Sequence, residues 1–152
     1  MLKLVTFNIR CDYDQDGANS FRFRKPVILK KLAEEKPDVI CFQEVLPHVA
    51  VWLKENLTEY TVIGCGRSET LEDEQMTVAF RTKRLNLINM ETFWLSPTPY
   101  VPASDTRNSP SVRVCARKWY WKIFRRRKSS VCVISTWIIS ACRREPWDCL
   151  RS

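Results

Sequence analysis

The chain has 152 residues, of which 45% are hydrophobic, and its formal net charge is +8. This length is enough for one domain with a buried core, and we expect no membrane span because no window approaches ~18 uninterrupted apolar residues. Seven cysteines without a C-x-x-C pair favour reduced thiols over a disulfide framework or a zinc site, and residues 1–10 lack the pattern of a signal peptide, so we expect a cytoplasmic protein.

The first predicted element is a strand at residues 2–10, where the side chains alternate between two faces. Asn8 lies near its end, at a point where a buried amide needs hydrogen-bond partners. Two roles are open for Asn8. It bonds a neighbouring loop, or it faces a phosphate or a metal-bound water.

An acidic loop follows at residues 11–20. Its Asp12, Asp14, Asp16 and Gly17 match the start of a calcium loop, but such a loop needs a glutamate about six residues after the glycine, where this chain has Phe23. We therefore predict a solvated loop without calcium.

A helix is predicted next, beginning near Pro26, because proline suits a first helical turn. It ends before Pro37. The predicted apolar stripe consists of Val27, Ile28, Leu29 and Leu32.

The most informative stretch of the sequence is the predicted strand at residues 39–42, an apolar run that begins with β-branched residues. Gln43 and Glu44 follow where the strand ends. Open α/β sheets keep their chemistry at the carboxyl ends of strands, so Glu44 is the first candidate for a metal ligand. Because a helix joins the two strands, we predict that they are parallel neighbours.

A second helix is predicted at residues 47–57, with His48 exposed in its first turn. The strand at 61–63 then leads into Gly64-Cys65-Gly66, which could present Arg67 to an anion, although a simple turn is the alternative. Glu74 ends an acidic loop at 68–75 and stands beside the next strand, where it could reach a site.

Strand patterns continue at residues 76–81, 85–88, 91–95 and 111–115, with a proline-rich loop at 96–102. The composition changes near Ala116. Residues 1–116 hold 15 Lys and Arg against 15 Asp and Glu, whereas residues 117–152 hold 10 against 2 and carry four of the six tryptophans. The positive charge of the chain therefore lies in its last quarter.

Residues 2–116 resemble the endonuclease/exonuclease/phosphatase superfamily, in its bacterial-type branch of uncharacterised hydrolases and sugar-phosphate phosphatases. The matching motifs are T-F-N-I-R, P-D-V-I-C-F-Q-E, G-x-G-R, D-E-Q-M-T-V-A-F-R and T-F-W-L-S-P-T-P. The resemblance implies the N-terminal portion of a four-layer α/β sandwich, in which helices flank two mixed β-sheets. It also implies hydrolysis of a phosphate ester (a sugar phosphate, a nucleotide or a nucleic acid) with Mg²⁺ or Mn²⁺.

The resemblance further implies roles for four residues. Glu44 matches the metal-binding glutamate, and Asn8 matches the catalytic asparagine beside the metal and the phosphate. Arg67 and Glu74 match positions that lie near the substrate.

The later motifs of the family, N-T-H, G-D-x-N and S-D-H, do not occur in this sequence. A complete family domain is also much longer. If the tail is translated in the adjacent reading frame, its possible codons permit val-leu-glu and then his-leu-asp-his. These are the residues that the family carries at this distance after Cys115. We therefore predict a partial domain at residues 1–116, an out-of-frame tail at 117–152, and a truncated chain without activity of its own.

Two alternatives differ in class. The basic run at residues 125–128, near Trp119 and Trp121, is typical of nucleic-acid binding through phosphate contacts and base stacking, so a nucleic-acid-binding protein is the alternative function. The other is a chain that folds poorly and aggregates, because half a sandwich leaves an apolar sheet face uncovered.

Overall fold

The computed structural model of the chain describes residues 1–13, 16–102, 104, 112–123 and 136–143, the last two ranges as backbone only. The elements are β1 (Leu4–Asn8), a 3₁₀ turn (Gly17–Asn19), α1 (Phe21–Glu35), β2 (Val39–Val45), α2 (Pro47–Asn56), β3 (Tyr60–Gly66), β4 (Gln75–Arg81), β5 (Leu85–Trp94), β6 (Val112–Ile123) and β7 (Thr136–Arg143).

The first sheet has the strand order β1-β2-β4-β3. β1 and β2 are parallel neighbours, as the helix between them predicts, and β4 is antiparallel to both β2 and β3. β1, β2 and β3 therefore run in the same direction, and their carboxyl ends share one edge with the start of β4. We call this edge, marked by Asn8, Val45, Gly66 and Gln75, the carboxyl edge.

The first four residues of β2, Val39 to Phe42, are apolar and buried because both faces of the strand are covered there. Ile40 and Phe42 pack with residues of α1 and α2, whereas Val39 and Cys41 pack on the opposite side of the sheet. This alternation follows from the two-residue period of a strand. Burial raises the pKa of the Cys41 thiol to about 12.

The second sheet has the order β5-β6-β7, and these three strands are antiparallel. Leu85 and Trp94 of β5 join a buried cluster with Met76, Val78 and Phe80 of β4. The helices, the first sheet and the second sheet thus form three successive layers of a sandwich. The predicted fold class, a partial α/β sandwich, is confirmed.

The predicted boundary at Ala116 lies inside β6, which pairs with β5 from Ile123 to Cys115. The basic run at residues 125–128 and the side chains of the tail lie outside the described residues. The out-of-frame tail therefore stays a prediction. Among the described residues, no helix combines the length and apolar character needed to cross a bilayer.

The prediction that α1 begins near Pro26 is wrong. α1 begins at Phe21, which is 1% exposed and lies edge-on to Trp52 with 5.1 Å between ring centroids. Pro26 lies in the second turn, where its missing N–H leaves one carbonyl of the helix without its usual partner. Val27, predicted on the apolar stripe, is 67% exposed, because the stripe is rotated toward Phe21, Ile28 and Leu32.

Candidate active site at the carboxyl edge of the first sheet

The four residues singled out from the sequence all lie at the carboxyl edge. Asn8 ends β1, Glu44 is the penultimate residue of β2, Arg67 follows β3, and Glu74 precedes β4. The strand directions cause this convergence, since three parallel strands end where the fourth begins. The structure arranges the four residues as two separate pairs.

The first pair is Asn8 and Glu44. The Asn8 Nδ2 donates to Glu44 Oε1 at 2.6 Å, and the Cys11 backbone N–H donates to Glu44 Oε2 at 3.0 Å. The Asn8 Oδ1 in turn accepts a hydrogen bond from the Arg10 backbone N–H at 2.8 Å. Each oxygen of the glutamate therefore has a defined direction, although Asn8 itself is exposed and Glu44 is half-buried.

The backbone at this pair is strained. Gln43 and Glu44 form a β-bulge, because the register of β2 with β4 shifts between Phe42 and Val45, and Glu44 has a φ of 59°. Arg10, two residues after Asn8, has a φ of 65°. A left-handed backbone costs a residue with a side chain about 1–2 kcal/mol. Such strain clusters at functional sites, where a bulge re-aims a side chain.

The acidic loop is fixed to the end of β1. Arg10 donates from Nε and Nη2 to the two carboxylate oxygens of Asp16, each at 2.6 Å, and this holds the pKa of the Asp16 carboxyl below its ordinary value. Arg24, in the first turns of α1, donates from Nη1 to the Ile9 carbonyl at 2.6 Å and from Nε to the Asn19 carbonyl at 2.8 Å. These contacts connect Asp16 and the start of α1 to the end of β1, close to Asn8.

The second pair is Arg67 and Glu74. Arg67 Nη1 lies 3.1 Å from Glu74 Oε2, and Arg67 Nε lies 3.4 Å from Asp73 Oδ2. The side chains of Arg67 and Glu74 are only 16% and 4% exposed. The Trp94 Nε1 of the second sheet donates to the Arg67 carbonyl at 3.0 Å. This pair is therefore closed on itself and held from both sheets.

Tyr13 follows the first pair in the chain and is 59% exposed. Partial burial raises the pKa of its phenol, and the neighbouring Cys11 and the carboxylates of Asp73 and Glu74 raise the pKa further.

His48 is exposed, as predicted from its place in the first turn of α2. Its side chain is 56% exposed, and Nε2 lies 3.0 Å from Asp12 Oδ2. This contact joins α2 to the acidic loop.

No family model and no curated protein sequence matches this chain, but solved structures do. An endonuclease/exonuclease/phosphatase from Bacteroides vulgatus superposes with a TM-score of 0.75 at 27% identity, over 80% of this chain and 47% of that one. This chain has the fold of an endonuclease/exonuclease/phosphatase protein. The predicted resemblance is confirmed as that of an N-terminal part.

Two further solved structures superpose on this chain in the same way. A mannosyl-6-phosphatase from Bacteroides thetaiotaomicron gives a TM-score of 0.76 at 24% identity, over 93% of this chain and 51% of that one. TDP2 from D. rerio, complexed with a single-strand DNA product, gives 0.57 at 15% identity, over 92% and 45%. The chain spans about half the length of the solved proteins that it matches.

The carboxyl edge offers one carboxylate that is able to hold a divalent cation. Glu44 offers a carboxylate, and within the described part of the chain each of its two oxygens accepts one hydrogen bond, so lone pairs remain for a cation. The described residues contain no group of three or more His, Cys, Asp or Glu side chains that could hold a metal. Mg²⁺ is commonly held by one or two carboxylates with waters and phosphate oxygens rather than by a protein cage.

Sequence reasoning missed Arg10, Asp16 and Tyr13, which the structure places close to the candidate site. Arg10 lies within the T-F-N-I-R motif, and Asp16 within the loop that we rejected as a calcium site. Pairing between them depends on the left-handed backbone at Arg10, for which the sequence offers no signal. The feature of the sequence that indicates Arg10 is the T-F-N-I-R motif to which it belongs.

Proposed function

We propose that this chain supplies the metal-binding half of a phosphoesterase site. In this proposal Glu44 holds Mg²⁺ or Mn²⁺, and Asn8 orients Glu44 and contacts the substrate phosphate. The observation that carries it is the Asn8–Glu44 hydrogen bond at a strained bulge on the carboxyl edge. Strain of this kind costs stability, is maintained by the surrounding structure, and clusters at functional sites.

The ion, when bound, supplies Lewis-acid stabilisation of the phosphoryl oxygens. The protein residues set the geometry around it. The hydrogen bonds from Asn8 and Cys11 fix which lone pairs of Glu44 stay available. Arg67 and Glu74 neutralise each other, so their role is to shape the loop that borders the substrate.

A phosphate ester is the substrate class that the neighbours support. Among them are a mannosyl-6-phosphatase, a protein solved with a single-strand DNA product, and a 2′,3′-cyclic phosphatase named ANGEL2. These proteins share phosphoester chemistry and differ in what the ester carries. We therefore propose a phosphomonoester or phosphodiester for the complete site.

In our proposal, these 152 residues alone do not hydrolyse a phosphate ester. Phosphoryl transfer needs groups that activate water and stabilise the developing charge. One glutamate and one asparagine cannot supply both, and the N-T-H, G-D-x-N and S-D-H motifs do not occur in the chain. We propose that residues 117–152 are read out of frame, so that a longer product carries the activity.

The metal site is tested by isothermal titration of Mn²⁺ into the parent chain and into Glu44→Gln. We expect the Kd to rise at least about tenfold, because the variant keeps its shape and loses the charge. The matched control is Glu59→Gln, which removes a 69% exposed carboxylate near the opposite edge. Equal Mn²⁺ affinity in the parent chain and Glu44→Gln would contradict the proposal.

The reading frame is tested by resequencing the gene from the codon of Val112 past the stop. An adjacent frame that encodes his-leu-asp-his and later supplies further histidines and aspartates supports the proposal. A continuous confirmed frame without such a continuation contradicts it.

A further inference from the structure

We infer that Arg10 is a phosphate-binding residue of this site, with its guanidinium held in place by Asp16. The inference rests on the proposed function and assigns its substrate-binding charge to a residue other than Arg67. Arg10 would contact the non-bridging oxygens of the phosphate group while Glu44 serves the metal.

The first argument is the geometry of the ion pair. Asp16 engages Arg10 side-on, through Nε and Nη2 at 2.6 Å each. A guanidinium has five N–H donors in a fixed plane, so the end-on edge formed by Nη1 and the second hydrogen of Nη2 stays available. The Arg10 side chain is 57% exposed. That edge has the spacing for bidentate contact with a phosphate.

The second argument is position. Arg10 stands two residues after Asn8, and its backbone N–H is donated to the same Asn8 side chain that binds Glu44. Its left-handed backbone, with φ at 65°, fixes where the side chain leaves the strand end. Because the Asn8 side chain contacts both Glu44 and the Arg10 backbone, a phosphate beside a Glu44-bound ion would lie next to the backbone that carries Arg10.

The third argument comes from the other arginines near this edge in the described part of the chain. Arg67 is 16% exposed and faces two carboxylates, those of Asp73 and Glu74. Arg24 is turned inward, where Nε and Nη1 donate to backbone carbonyls. Arg24 Nη2 has no hydrogen-bond partner in the described part of the chain, but this atom and Arg67 Nη1 are both buried. The Arg10 side chain is 57% exposed, so of the three arginines its remaining donors are the most accessible to a ligand from solvent.

The experiment is titration of inorganic phosphate into the full chain at fixed ionic strength with Mn²⁺ present. We expect Arg10→Gln to weaken phosphate binding at least about tenfold, since a charge-assisted bidentate contact is lost. The phosphate affinity of Arg10→Lys should lie between those of the parent chain and Arg10→Gln, because an ammonium keeps the charge but loses the bidentate geometry. The matched control is Arg81→Gln, which removes an arginine at the opposite edge whose ion-pair partner, Glu59, is 69% exposed.

A second readout has the opposite sign. With Mn²⁺ alone, Arg10→Gln should bind the ion about two- to fivefold more tightly, because a like charge near Glu44 has been removed. A variant that merely unfolds would lose both ligands, and a thermal melt of each variant identifies that case. Asp16→Asn, which keeps the Arg10 charge and loosens its position, provides the test that does not depend on the Arg10 variant folding. It should weaken phosphate binding about two- to threefold.

The outcomes separate the inference from the proposed function. Mn²⁺ binding that depends on Glu44, together with unchanged phosphate affinity in Arg10→Gln and Asp16→Asn, overturns the inference and leaves the metal site standing. A Mn²⁺ affinity that is unchanged in Glu44→Gln overturns the proposed function. A parent chain that binds no phosphate overturns the assignment of Arg10.

Discussion

The Asn8–Glu44 pair and the Arg67–Glu74 pair lie at the same edge of one sheet, yet they use their charges in opposite ways. Glu44 is half-buried, its backbone is left-handed, and its hydrogen bonds come from neutral donors. Glu74 is 4% exposed and faces a guanidinium. A buried pair that closes on itself fixes a shape, whereas a carboxylate with neutral partners keeps its charge for a ligand.

The largest expected loss of stability comes from a substitution beside the Arg67–Glu74 pair. A Cβ at Gly66 would lie 1.5 Å from the Glu72 carbonyl oxygen and 2.7 Å from that of Leu71, so the backbone of the 68–74 loop must move. We expect Gly66→Ala to lower the free energy of unfolding by about 3–4 kcal/mol or to prevent folding, measured by urea unfolding.

The control for that variant is Gly17→Ala. Gly17 has a positive φ of 49°, which Gly66 lacks, but nothing lies within 4 Å of its Cβ position. Its substitution should therefore cost only about 1–2 kcal/mol, the price of the left-handed backbone alone. Equal losses in the two variants would show that the 68–74 loop tolerates displacement.

The next effect separates the two glutamates by stability. Glu74→Gln leaves a largely buried guanidinium with Asp73 as its remaining carboxylate partner, so we expect a loss of about 2–3 kcal/mol. Glu44→Gln should cost less than about 1 kcal/mol, because the site is half-open and the amide keeps an acceptor. Urea unfolding of both variants measures the difference, and a larger loss at Glu44 would reverse the comparison.

The smallest effect concerns pH. The pKa of Asp16 is lowered by its hydrogen bonds from Arg10, so its stabilising contribution is present above the ordinary carboxyl pKa and fades as the pH falls. The pKa of Tyr13 is raised, chiefly by burial, so its contribution is complete below the ordinary phenol pKa and is lost as the pH rises. NMR titration of the two side chains checks this. Shifts in the same direction would contradict it.

The sequence predicts the first half of the fold well, because its signals there are local. The apolar run of β2 and the helix before it are sufficient for the parallel pairing of β1 and β2. The insertion of β4 between β2 and β3 has no such signal, since long-range strand pairing leaves little trace in a window of residues. α1 begins early for a similar reason, because the burial of Phe21 against Trp52 is a tertiary contact.

The candidate site divides in the same way. Asn8 and Glu44 are predictable because each stands where a strand ends, and strand ends are where such sheets place their chemistry. That Arg67 and Glu74 bind each other depends on the shape of the loop between them, where Leu71 and Asp73 are both left-handed. When left-handed positions hold residues other than glycine, the sequence gives no signal for the turn.

The hydrogen bond from the Trp94 indole to the Arg67 carbonyl has a dynamic consequence. Trp94 ends β5 of the second sheet, whereas Arg67 begins the loop that borders the site. Opening this loop therefore means breaking a contact anchored in the other sheet, and the local unfolding of the two regions is cooperative. Amide hydrogen exchange in residues 68–74 should consequently report whether the second sheet is docked, even though none of those residues belongs to it.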